Sequence, residues 1–375
     1  MSLKYPSMET YYSAMENADG DPNKCDPRSL IKYLMLFTYV NARLRGHILT
    51  RKTAVSSWDW DIIPYNPNDA EKALQAKVRL KNAINTIVRN RVDTVLYGSS
   101  LIKFKWELLG EFNVPVLERI FKPDEIYTYN NSSVAIFEGS NRTVIDNSRP
   151  EYIAETDGES VRGGLLRSVG ITEIIRYDML LEWANWSKKQ KGIIQGIDKG
   201  ADEGERKVAE DALVHVLRNN VMLTSDLIEY KFHQIANSTA GDSFKEFLTK
   251  LDSSVAVAIL GQANTPELPA GGGSRAALQV QQMVSADIMY SDVICATELV
   301  DRLLKHDCKL NYNSDFPLYQ FKVNLAETVD LEKTASMLEL ASRFLTLNLD
   351  EAYTKLGLTP PPEGAKGVQN AENIE

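Results

Sequence analysis

Cysteine is scarce in this chain: Cys25, Cys295 and Cys308 are its three cysteines in 375 residues, widely spaced and with no C-x-x-C pair. An odd, scattered set argues against a disulfide framework and a zinc site, and fits a reducing compartment. Histidine is equally sparse. His47, His215, His233 and His306 never fall at i, i+3 or i+4 from one another, so no metal-binding pair is present. No segment approaches the ~18 uninterrupted apolar residues of a membrane span, and Met1 to Pro6 lacks the apolar run of a secretion signal. The reading is a soluble, intracellular protein with no membrane contact. A surplus of basic charge is missing too: the formal net charge is −9. Tight holding of phosphate backbones needs the opposite balance, so any contact with nucleic acid should be local or fleeting.

Catalytic signatures are absent as well. There is no Gly-x-Ser-x-Gly and no His-Glu-x-x-His. Gly271, Gly272 and Gly273 precede a helix start, but Ser274-Arg275 follows where a phosphate-binding loop needs its lysine, and no strand precedes them. Asp59 and Asp61 alternate with Trp58 and Trp60, which reads as the exposed face of a half-buried strand and not as a carboxylate pair. No catalytic residue, cofactor or metal is assigned.

What the chain does contain is long helical periodicity broken by short β patterns, an α+β order. Residues 1–26 are polar and broken by Pro6, Gly20 and Pro22, and read as a loosely held arm. Asp26 and Pro27 make a cap and first turn for a helix with apolar residues at Leu30, Leu34, Phe37, Val40 and Leu44. A basic stretch (Arg43, Arg45, Arg51, Lys52) leads to a strand at Trp58–Ile62. A long helix runs from Asp69 to Leu96, and strands are expected at 100–108, 114–121, 125–129 and 134–138. Residues 139–163 read as irregular. A Trp-bearing helix covers 165–190. A strand–helix–strand unit follows, at 192–197, 202–219 and 221–235. Helices at 242–260 and 274–305 flank a Gly/Pro-rich loop, and a strand at 318–323 precedes a helix at 331–344.

Three stretches stand out: Gly163-Gly-Leu-Leu-Arg-Ser-Val-Gly170; Val255-Ala-Val-Ala-Ile-Leu-Gly-Gln262 reopening at Gly272-Gly-Ser-Arg-Ala276; and 330–345 followed by Leu356-Gly-Leu-Thr-Pro360. Together they resemble the portal family of Mu-like tailed phages. One departure is visible. Asn264-Thr265-Pro266 stands where the family loop carries consecutive threonines.

The resemblance implies a phage portal fold. Its parts would be an arm (1–26), an α/β wing (27–163), a first stem helix (164–190), an inserted α/β clip (191–238), and a second stem helix (239–260). A tunnel loop (261–273), a wing or channel helix and strand (274–330), crown helices (331–359) and a flexible tail (360–375) would complete it. The implied function is a structural ring of about twelve copies at one capsid vertex, through which double-stranded viral DNA is packaged and ejected. Its implied partners are the terminase large subunit, a head–tail adaptor and the major capsid protein, in the virion and, during assembly, the host cytoplasm. Gln262, Asn264, Thr265, Pro266, Glu267, Gly271, Gly272 and Gly273 would line the channel; Trp183, Trp186, Phe247 and Leu251 would pack the stem. The rival readings are a different ring-forming connector and an enzyme using the Gly271–Gly273 loop on a phosphorylated substrate.

Overall fold

The computed structural model describes residues 4–324, apart from 131–132, 140, 158–161, 190–192, 209, 212–227, 234–238 and 263–274. Every described secondary-structure element belongs to the unit Met1–Val323; Asn324–Glu375 forms a second unit. The helix expected at 331–344 and the tail lie outside the described residues.

The first correction comes at the N-terminus, where the expected loose arm is a docked helix, α1 (Met8–Asp19). Ser7 caps it, its Oγ accepting from the Thr10 amide. Tyr11, Ala14 and Ala18 form a buried stripe at helical spacing. The Tyr11 hydroxyl donates to the Arg167 carbonyl at 2.7 Å. Arg162, itself buried, donates to the carbonyls of Ala18 and Gly20. Two alanines, Tyr11 and Met15 are the buried residues of α1, too few large apolar side chains for the segment to read as amphipathic.

Asp26 stands at the start of the next helix, α2 (Arg28–Val40), its Oδ1 accepting from the Arg28 amide at 3.1 Å across Pro27, which already has helical φ/ψ at the cap position. The apolar pattern through Leu44 belongs to two helices, however. Asn41 leaves the helical region (φ −87°, ψ 107°) and its Oδ1 accepts from the amides of Arg43 and Leu44, starting α3 (Ala42–Ser56). The basic stretch is therefore helical. Strand β1 (Trp60–Pro64) pairs antiparallel with a strand over 250 residues later, β10 (Tyr319–Val323). Trp60 and Ile62 are buried, while Asp61 pairs with Lys77 at 3.1 Å. Its role is the polar face of a strand.

Helix α4 (Ala70–Tyr97) has 28 residues and spans about 42 Å. Its buried residues, from Ala73 through Leu80, Ile84, Ile87 and Val92 to Leu96, run the length of the core. It stops at Gly98, which adopts φ 90° and closes the last turn on the Thr94 carbonyl. Two small antiparallel sheets follow, β3 (Phe112–Ile120)–β2 (Ser99–Leu109)–β7 (Tyr152–Thr156) and β4 (Ile126–Asn130)–β5 (Ser133–Glu138)–β6 (Asn141–Val144). Strands β6 and β7 correct the irregular reading of 139–163. Leu101, Ile126, Val134, Ile136 and Ala154 join the two sheets in a satellite core.

Helix α5 (Leu166–Lys189) leads to an antiparallel pair, β8 (Ile193–Asp198) and β9 (Ile228–His233). Residues 203–208 between them are helical, and β9 falls within the strand expected at 221–235, whose residues 221–227 and 234–235 lie outside the described residues. Helix α6 (Thr239–Leu260) returns toward the core. The single helix expected at 274–305 is two, α7 (Arg275–Cys295) and α8 (Thr297–Tyr312). They meet at Ala296, where the backbone opens to ψ −14° without any Gly or Pro to announce it.

Candidate functional site

Helices α5 and α6 run antiparallel. Trp186 packs on Phe244 (5.9 Å between rings), and ten residues earlier on α5 the Arg176 Nε donates to Asp252 at 2.9 Å. Gly241 permits the close approach at the outer end, since a Cβ there would lie 3.2 Å from the Trp186 ring. The roots of the pair are in the main core: Leu166, Val169 and Ile174 on α5, and Val255, Ile259 and Leu260 on α6. Farther out, burial stops. Beyond Ile174 no α5 residue whose exposure is described is buried, and between 241 and 254 of α6 Leu248 alone is.

Apolar side chains nonetheless continue outward. Trp183, Trp186 and Leu251 are half-buried, while Leu181 and Phe247 are exposed. Leu181 on α5 and Phe247 on α6 are large apolar side chains left open to solvent on the outer part of the pair. The four residues singled out for the stem thus all lie on this pair, with Trp186 in its internal contact and Phe247 open.

Ion pairs and buried polar contacts fix the roots. Asp252 receives Arg176 from α5 and Arg43 from α3, the second at 2.9 Å. Glu173 on α5 accepts from the Asn41 side-chain Nδ2 at 2.7 Å, while its other oxygen is buried without a hydrogen-bond partner. Burial pushes its pKa up from the ordinary carboxylate value, although Asn41 opposes the shift. Most constrained is Arg51 on α3. Its Nε and Nη2 grip Asp292 of α7 at 2.7 and 2.9 Å, and Nη1 donates to the Ile259 carbonyl near the C-terminus of α6, at 2.7 Å. This one guanidinium ties together the helix that enters segment 263–274 and the helix that leaves it.

Gly261 completes that junction at φ 73°, a conformation that favours glycine, and a Cβ would collide with Ile288 of α7. Of the residues assigned to the channel, Gln262 is half-buried beside this glycine; Asn264, Thr265, Pro266, Glu267, Gly271, Gly272 and Gly273 lie outside the described residues. Sequence reasoning missed Arg51, Asp292, Glu173 and Asn41, because nothing in the spacing of a charged residue says that its partner lies 241 positions away.

The described residues hold no cluster of three or more His, Cys, Asp or Glu able to bind a metal, and no described helix is long and apolar enough to cross a membrane. The fold resembles that of solved phage-particle proteins. It matches the neck of an empty GTA particle, computed with C6 symmetry, at TM-score 0.55, with 13% identity over 88% of this chain and 94% of that one. The virion of a native gene transfer agent particle gives 0.49 at 12% identity (88% and 94% covered). An HK97 family phage portal protein from Corynebacterium diphtheriae gives 0.43 at 12% (78% and 96% covered). No curated protein matches the sequence. Residues 36–358 match the family described as the portal protein of Mu bacteriophage. The chain belongs to that family.

Proposed function

We propose that this chain is a portal subunit that assembles into a closed ring at a capsid vertex and forms the passage for viral DNA. The observation that carries the reading is the helix pair α5–α6, rooted in the core and apolar where one chain leaves it uncovered. A ring covers such a stripe by repeating one heterologous interface around an axis until it closes. Burying Leu181 or Phe247 against a neighbour contributes about 1.5–3 kcal/mol per side chain, repeated at every interface. The family membership and the fold shared with a GTA neck protein support the same assignment.

Within it, α5 and α6 are the stem, and the β8–β9 unit is the clip, which docks the terminase large subunit during packaging and a head–tail adaptor afterwards. Residues 27–163 and 274–330 are the wing, 331–359 the crown, and 261–273 the tunnel loop. That loop holds Glu267 and no Lys or Arg, so it touches a passing duplex without gripping its phosphates. Asp substitutions at Leu181 and Phe247 should block assembly while leaving the monomer folded, as sedimentation and circular dichroism would read. Full assembly of the double variant would remove the stripe from the interface. A second reading, a connector ring that does not line the DNA path, is separated by Glu267→Lys. In a portal the added ring of positive charge slows packaging most at low salt; an unchanged packaging rate there favours the connector.

A further inference from the structure

Helix α8 carries a basic face that the stem and loop do not use. Arg302, Lys305, His306 and Lys309 recur at i, i+3, i+4 and i+7, one side of the helix. They form one wall of a groove of about 590 Å³ whose other wall is Asn147, Ser148 and Pro150, with Leu310 and Asp315 at its edge. Arg302 also lies near Glu155 and Glu298, so the basic charge open to the groove rests on the two lysines. Lys309 pairs with exposed Asp315 at 3.2 Å. Arg302 is half-buried and donates to the Ala154 carbonyl, and Lys305 has no ion-pair partner among the described residues. His306 is half-buried, and its pKa is held below the ordinary value, first by burial and then by Lys305 and Arg302 beside it. Glu151 is the acidic group that acts against that shift, and it is itself paired with Arg149 at 3.4 Å. The groove's own lining carries three cationic side chains, Arg302, Lys305 and Lys309, and one carboxylate, Asp315, in a chain of net charge −9.

We infer that this groove is a docking site for an extended acidic segment of another protein, with carboxylates meeting Lys305, Lys309 and Arg302 and apolar side chains meeting Pro150 and Leu310. Charge complementarity sets the sign of the occupant. Shape and apolar lining set its class. A concave groove of this volume admits a few residues of extended chain, whereas the convex side of a duplex cannot enter it. A phosphodiester backbone offers charge but nothing for Pro150 and Leu310, whereas a peptide alternates both along its length. The inference stands apart from ring formation, because the groove is complete within one chain.

The test is fluorescence anisotropy of a labelled octapeptide alternating aspartate and leucine, titrated with the whole protein and repeated at higher salt. An oligothymidylate of equal charge serves as competitor. The expected result is saturable binding that weakens by roughly tenfold or more in K305E/K309E and falls with salt, with little competition from the oligonucleotide. The control variant K32E/K81E changes the same net charge at exposed positions away from the groove and should bind as the parent does. Lys305 and Lys309 are both exposed, and matching thermal unfolding of the variants separates lost binding from lost fold. No binding by the parent, equal loss in both double variants, or tighter binding of the oligonucleotide overturns the inference.

Discussion

Asp292→Asn tests the junction at the base of the helix pair. The substitution keeps the shape of the side chain and removes its charge, leaving the Arg51 guanidinium 6% exposed with neutral acceptors only. Breaking a buried ion pair by removing one partner costs about 3–5 kcal/mol, because the remaining charge keeps its desolvation penalty. Replacing both, as Arg51→Met with Asp292→Leu, removes that buried charge. The Ile259 carbonyl then still lacks its donor, a loss of about 1–3 kcal/mol. The double variant should therefore be more stable than Asp292→Asn alone. Urea unfolding of monomeric protein followed by tryptophan fluorescence reads this directly, since Trp58 packs against Tyr290 of α7 at 5.4 Å. An Asp292→Asn variant within about 1 kcal/mol of the parent, or a double variant worse than that single, would refute the reasoning.

Burial, opposed by Arg91 and Thr94, raises the pKa of Glu155 to about 7. The Arg91 Nε lies 2.9 Å away but has no hydrogen bond, so compensation is incomplete. The folded state therefore holds a proton that the unfolded chain releases near its ordinary pKa. The corresponding stability is present below that value and is lost, at about 1.4 kcal/mol per pH unit, as pH rises to about 7. Glu155→Gln should flatten that slope in denaturation curves taken across the window; an unchanged slope contradicts it. Gly170→Ala would place a Cβ against the Tyr11 hydroxyl, and should undock α1 at a cost of about 1–3 kcal/mol, seen as new protease cleavage before residue 27. Gly261→Ala meets both Ile288 and an unfavourable φ, and should lower the unfolding midpoint by an amount that Ile288→Ala partly restores.

The fold was legible where local physics decides it. Gly98 ended α4, Asp26 and Pro27 opened α2, and the Trp60–Ile62 alternation gave β1, because caps and periodicity act within a few residues. It was illegible where tertiary contacts decide. Helix α1 is held through Tyr11, Arg162 and Arg167, whose partners lie more than 140 positions away. The helix ends at Asn41 and Ala296 fall inside apolar patterns that continue across them, so periodicity alone joins what the backbone separates. Helix α5, with Trp183 and Trp186, could be read because its apolar periodicity is a local signal. The buried polar residues that anchor it could not, since a charge paired deep in a core and a charge in water look alike in a sequence.

The central claim is that the uncovered stripe on α5 and α6 closes a ring. Projection images of the full-length protein at high concentration, taken alongside its mass by light scattering, test it most directly. Closed rings with a central hole, and a mass that is one fixed multiple of the chain, are expected. Monomer alone, persisting when neighbouring capsid and neck proteins are added, would contradict it.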